Sequence, residues 1–259
     1  MKMNKDISWL KEAPIIAHRG YTGGGAPENS LPAFKEAAER GLPIELDVHC
    51  LKDGEIAVFH DFDLLRMCGL PLLLFRRKSE DLKKFRLKGT QNTIPLLKDV
   101  LKLVDGRVGL LIELKVFVRY KRLCNNLIRT LADYSGPVAL QGFSCTALRY
   151  LASKCDYPLG IIGMNYKKAG FFGLIGTRLN RMPYFEEINP QFLNYLFRHI
   201  PSPASEKCRA RNMVILGWTV KTHKDLEDAR KVCDVAIADT YIIKDDYKAK
   251  EPKEAVAVK

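Results

Sequence analysis

Three short motifs bring together residue types suited to phosphate chemistry. Ile44-Glu45-Leu46-Asp47-Val48 places carboxylates two residues apart in an apolar run. On a strand such residues share one face. Bare buried carboxylates are costly unless cations or donors compensate. A hard divalent cation, Mg²⁺ or Ca²⁺, meets that need through oxygen ligands, and ion pairs with Arg19 or Lys115 would meet it too. Leu110-Leu111-Ile112-Glu113-Leu114-Lys115 repeats the pattern. Glu113 is a candidate third ligand and Lys115 a candidate point charge for a phosphate oxygen, with an internal Glu–Lys pair as the plainer alternative. Ile15-Ile16-Ala17-His18-Arg19-Gly20 ends an apolar segment in a proton-transfer group and a guanidinium able to grip phosphate with two hydrogen bonds; an isolated His-Arg also suits a solvated strand end. Taken together these residues are an inventory for metal-assisted phosphodiester cleavage.

To meet, they need neighbouring strands whose C-terminal ends point the same way. Short apolar segments predict strands over Ile15–His18, Ile44–Cys50, Ile56–His60, Val108–Lys115, Val138–Phe143, Leu159–Met164, Phe192–Tyr195, Val214–Val220 and Val235–Ala238. Several have no polar face, as strands buried on both sides do. Helical patterns separate them. One is capped by Ser30, with Pro32 in its first turn and Gly41 ending it; others span Pro95–Val104, Tyr120–Tyr134, Cys145–Lys154, Ala204–Asn212 and Lys224–Cys233. Such alternation predicts βαβ units and a parallel sheet. The chain of 259 residues then suits an α/β fold, a (β/α)₈ TIM barrel of roughly 250 residues whose working face is the C-terminal strand ends.

Nine strands are one too many for that barrel. Asp53-Gly54 is a two-residue hairpin signal, and so short a connection holds no parallel crossover. Ile56–His60 is therefore expected to return antiparallel along Ile44–Cys50. A two-residue turn pairs Lys52 with Glu55 and hence Asp47 with His60, bringing the imidazole to the face of Glu45 and Asp47. His49 is expected to point away from Asp47, packed or solvated. Trp218, near a strand end, is a candidate wall for a substrate or a core residue. One domain is expected over residues 1–259, with the net-basic stretch 62–106 as an insertion over the barrel mouth and 248–259 as a frayed tail.

Lys plus Arg total 42 against 30 for Asp plus Glu, a net charge of +12. This excess favours anionic partners, whether phosphorylated metabolites, an acidic membrane surface or nucleic acid, and it also serves solubility. Basic, aromatic-bearing segments within 62–106 and 163–183 are candidates for peripheral contact with an anionic membrane. A non-catalytic module binding lipid or nucleic acid has no use for acidic residues converging on histidines, so nucleic acid is not expected as a partner. Seven scattered cysteines without a Cys-x-x-Cys pair speak for reduced thiols. Met1–Pro14 lacks the apolar core of a secretory signal, and no apolar run reaches the ~20 residues of a membrane span; a cytoplasmic location is expected.

The ordered motifs His18-Arg19-Gly20, Ala26-Pro27-Glu28-Asn29-Ser30, Glu45-x-Asp47, Asp53-Gly54 and His60-Asp61 resemble those of the glycerophosphodiester phosphodiesterase family. Ile112-Glu113-Leu114-Lys115 and Gly217-Trp218-Thr219-Val220 are also similar to family motifs, so the resemblance runs from about Ile15 to Asp239. It implies a (β/α)₈ barrel that hydrolyses glycerophosphodiesters to sn-glycerol 3-phosphate and an alcohol. Carried over by position, it implies His18 and His60 as the acid–base pair, Glu45, Asp47 and Glu113 as ligands of a divalent cation, and Arg19 and Lys115 as phosphate-binding groups. Ser30 stands where the family commonly has Thr, a conservative cap exchange. Pro95-Leu96-Leu97-Lys98 and Thr240-Tyr241 also depart from its usual pattern, which bears on substrate choice. A related barrel phospholipase acting on phosphatidylinositol or lysophospholipids is the alternative within the same chemistry.

Overall fold

The computed structural model describes residues 6–13, 15–168, 170 and 182–243; the tail 248–259 and most of the 163–183 segment lie outside them. Eight strands run parallel: β1 (Ile15–His18), β2 (Ile44–Cys50), β3 (Leu110–Leu114), β4 (Val138–Gly142), β5 (Leu159–Gly163), β6 (Phe192–Leu196), β7 (Val214–Val220) and β8 (Val235–Ala238). Each pairs with the next, and β1 pairs with both β2 and β8, closing the sheet. With helices in the connections, this is the (β/α)₈ barrel that the alternation predicts. The first of those helices, Leu31–Glu39, begins where expected. The Ser30 hydroxyl accepts from the Ala33 N–H at 3.4 Å, and Ala33, Phe34, Ala37 and Ala38 bury one helical stripe.

Side-chain alternation divides the barrel into two cores. Outward positions such as Ile44, Leu46, Val48, Leu110, Ile112, Leu140 and Leu193 pack beneath the helices. Inward positions Ile16, Leu111, Ala139, Phe192, Val214, Leu216, Val235 and Ile237 fill the lower barrel, stoppered by Leu10 and Trp9 of the helix Ser8–Glu12. Gly160 is needed there: a Cβ on it would lie 2.0 Å from the Phe192 ring. Above this apolar plug, at the C-terminal ends that a barrel leaves open to a ligand, the inward positions include His18, Glu45, Asp47, Glu113, Gln141 and Asn194.

The extra strand, Ile56–Val58, pairs antiparallel with β2 but one residue away from the expected register. Val48 pairs with Val58, and Phe59 rather than His60 donates to the Asp47 carbonyl at 2.9 Å. The turn is the cause. Leu51 N–H bonds the Glu55 carbonyl at 2.9 Å across Lys52-Asp53-Gly54, with Gly54 at φ +97°. A three-residue loop ending in left-handed glycine replaces the two-residue turn. Beyond it, Asp63–Leu64 and Leu70–Leu73 form a small second sheet. Leu51, Phe59, Leu64, Met67, Leu74, Leu82, Phe85 and Ile94 bury a satellite core under it. Among the described residues no helix is long and apolar enough to cross a membrane.

Candidate active site

The ends of β1, β2, β3, β6 and β7 surround a cavity of about 90 Å³ lined by His18, Arg19, Glu45, His60, Glu113, Lys115, Asn194 and Trp218, among others. Parallel register explains the convergence: His18 pairs with Glu45, and Asp47 with Glu113, so inward side chains of three adjacent strands meet at one level. Glu45, Asp47 and Glu113 are buried, and one carboxylate oxygen of each lies within 4.8 Å of the others. Asp47, at 1% exposure, is the most deeply buried of the three. Lys115 Nζ lies 2.6 Å from Glu113 Oε1 and 3.0 Å from Asp47 Oδ1. Asp47 Oδ2 accepts from Asn29 Nδ2 at 2.8 Å and faces Arg19 Nε at 3.3 Å. The other oxygen, Asp47 Oδ1, is buried and faces the Lys115 ammonium.

Burial first, then the charges of Asp47 and Glu113, hold the Glu45 carboxyl well above the usual carboxylate range. Burial likewise pushes Glu113 up to about 7 against the pull of Lys115. Asp47 is also penalised by burial, but Lys115, Arg19 and His60 outweigh it and hold its carboxyl below the usual range. The cluster therefore has more carboxylates than local cations, an imbalance that a dication with oxygen ligands would resolve. These three residues fit such an ion.

Each expected histidine is backed by a carboxylate. His18 Nδ1 lies 2.6 Å from Asp239 Oδ1, and His60 Nδ1 lies 2.6 Å from Asp61 Oδ1. With Nδ1 donating to the carboxylate, Nε2 of each ring is left to exchange a proton. Burial, joined by Lys115 and Arg19, depresses the His60 pKa against the charge of Asp47. His60 reaches the cavity despite the changed register because the strand ends at Val58, so alternation no longer governs it. A chain of ion pairs fixes its carboxylate. Arg66 bonds Asp61 Oδ2 at 2.6 Å and both oxygens of Glu28 at 3.0 and 2.7 Å, and Glu28 also accepts from Arg19 Nη1 at 2.7 Å. Burial opposes ionisation of Glu28, but the two guanidiniums win and hold its pKa at about 2.

His49 departs from expectation. It lies on the Asp47 face, as alternation requires of residues two apart, and it is 3% exposed. Burial drops its pKa to about 4, and Nε2 lies 3.3 Å from the His60 carbonyl. It is a neutral prop under the chain at His60. Trp218 lines the cavity and meets Phe143 edge to face at 5.7 Å. Residues that the sequence reading left without a role here are Glu28, Asn29, Asp61, Arg66, Phe143, Asn194 and Asp239. Only Glu28, Asn29 and Asp61 carried a signal, through the motifs that contain them.

A sequence model of the glycerophosphoryl diester phosphodiesterase family matches residues 18–241. A glycerophosphodiester phosphodiesterase of Caldanaerobacter subterraneus is 29% identical over 224 residues, 82% of this chain and 88% of that protein. One from Bacillus altitudinis is 39% identical over 109 residues, 39% of this chain, and the match spans only 44% of that protein's length. A human lysophospholipase D is 35% identical over 98 residues, 33% of this chain and 31% of its own. Among solved structures, an Oleispira antarctica phosphodiesterase in complex with the product sn-glycerol-3-phosphate superposes with a TM-score of 0.76 at 21% identity, covering 90% of this chain and 95% of that one. A Thermotoga maritima glycerophosphodiester phosphodiesterase gives 0.68 at 23%, covering 88% and 95%.

Proposed function

The chain belongs to the glycerophosphoryl diester phosphodiesterase family, and on that premise we propose that it hydrolyses glycerophosphodiesters to sn-glycerol 3-phosphate and an alcohol, in glycerol and phospholipid breakdown, with Mg²⁺ or Ca²⁺ as cofactor. The observation that supports this most is the meeting of a three-carboxylate cluster with two carboxylate-backed imidazoles in one cavity. Glu45, Asp47 and Glu113 would hold the ion, which when bound supplies Lewis-acid polarisation of the phosphate. Arg19 and Lys115 hold phosphate oxygens as negative charge builds in the transition state. One of His18 and His60 takes a proton from the nucleophile, water or the substrate's own 2-hydroxyl. The other returns one to the leaving alcohol. Asp239 and Asp61 orient the two rings, and Trp218 and Phe143 wall the site.

The test is release of glycerol 3-phosphate from a small panel of glycerophosphodiesters. Release is expected without chelator, lost in EDTA and restored by added Mg²⁺ or Ca²⁺. No release from any member under any metal condition overturns the reading. A second reading, cleavage of lysophospholipids, is supported by the exposed Phe143 ring that lines the cavity; preference for lysophosphatidylcholine over glycerophosphocholine would favour it.

A further inference from the structure

Among the described residues, the large apolar side chains left exposed are all on one side of the barrel. Among the described residues they are Phe62, Leu65, Leu70, Phe117, Val118 and Phe143, each between 36% and 56% exposed. All six lie in connections that leave the C-terminal ends of strands: the first three between β2 and β3, the next two after β3, the last after β4. The opposite face of the barrel has none among the described residues. They are also not scattered singly. The Phe62 and Phe117 rings lie 5.0 Å apart, Phe75 and Phe117 5.5 Å apart, and Phe62 sits edge-on to His49 at 5.4 Å. Leu65 and Leu70 belong to the adjoining turn and small sheet.

Cations accompany this patch. Exposed Arg76 holds its guanidinium 5.8 Å from the Phe75 ring, and exposed Arg119 directly follows Phe117 and Val118. Among the described residues neither has an ion-pair partner. A contiguous exposed apolar patch marks an interaction surface. Phenyl and leucyl groups flanked by long cationic side chains suit one occupant, a lipid bilayer, where rings enter the acyl boundary and guanidiniums reach anionic headgroups.

We propose that the mouth of this barrel docks on an anionic phospholipid surface through Phe62, Leu65, Leu70, Phe117 and Val118, with Arg76 and Arg119 on the headgroups. This goes beyond the proposed hydrolysis and is read separately from it.

The experiment is co-sedimentation of the full chain with vesicles of phosphatidylcholine alone or with about one-third phosphatidylglycerol. Wild type sediments with the anionic vesicles and at least roughly tenfold less with neutral ones, since each basic side chain near the surface contributes about fivefold. The Leu65→Ser/Phe117→Ser/Val118→Ser variant loses binding by roughly tenfold or more, because most of the inserting apolar area is gone. These side chains are at least half exposed, so thermal unfolding and turnover of water-soluble glycerophosphocholine should stay at wild-type values. Wild type that stays in the supernatant overturns the proposal, as does a triple variant that binds like wild type. A self-associating wild type that the triple variant renders monomeric, with no vesicle binding by either, also overturns it. Absence of glycerol 3-phosphate release by both proteins from every glycerophosphodiester of the panel, under any metal condition, would overturn the proposed activity and leave the vesicle result standing.

Discussion

Glu113→Gln is expected to stabilise the metal-free protein at alkaline pH. In the folded chain burial pushes the Glu113 carboxyl from 4.5 to about 7. Between those values the folded chain holds a proton that the unfolded chain has released, so stability falls as pH rises through the window and the loss is complete above it. A shift of that size corresponds to about 3 kcal/mol. For a chain of this length that is roughly 6–12 °C in Tm. Glutamine avoids this cost and its carbonyl oxygen can still accept from Lys115 Nζ, now 2.6 Å from Glu113 Oε1. Measured by calorimetry in EDTA, the variant should melt above wild type at pH 8, with the gap closing towards pH 4.5. Added Mg²⁺ or Ca²⁺ should raise the wild-type Tm at pH 8 more than that of the variant, because the ion replaces the proton as the carboxylate's compensation. A variant that melts below wild type at pH 8 in EDTA would refute the reasoning. So would a dication that stabilises both proteins equally.

Other outcomes test the remaining parts of the site. His18→Ala and His60→Ala should each lower kcat for glycerol 3-phosphate release by roughly 10²–10⁴ with unchanged circular dichroism; full activity in both would remove the acid–base assignment. Asp239→Asn should lower kcat roughly tenfold or more while leaving KM near wild type, because His18 loses the acceptor that sets its tautomer; an effect on KM alone would make Asp239 a binding residue instead. Glu28, held at about 2 by Arg66 and Arg19 against burial, stabilises the fold above pH 4.5 and loses that effect as pH falls towards 2. Glu28→Gln should therefore lower stability at pH 7 by at most about 3 kcal/mol, read as a lower Tm, with a gap that narrows below pH 4.5. A pH-independent gap would count against the ion-pair chain.

Much of the site is local chemistry and could be read along the chain. Glu45 and Asp47 share a face because strand side chains alternate, Glu113 and Lys115 do so for the same reason, and alternating apolar segments and helices call for a parallel sheet. Ser30 caps its helix because its hydroxyl satisfies the Ala33 N–H. The hairpin was legible as a hairpin, but its register rested on loop length, and one more residue in the turn moved Phe59 opposite Asp47. What no local pattern carries is barrel closure. Only the pairing of the first strand with the last sets His18 beside Asp239, 221 positions further along the chain. Likewise Arg66 reaches back to Glu28 only because the satellite core holds its segment against the loop that carries Glu28. Such contacts join residues whose separation in sequence carries no periodic signal; packing alone fixes them.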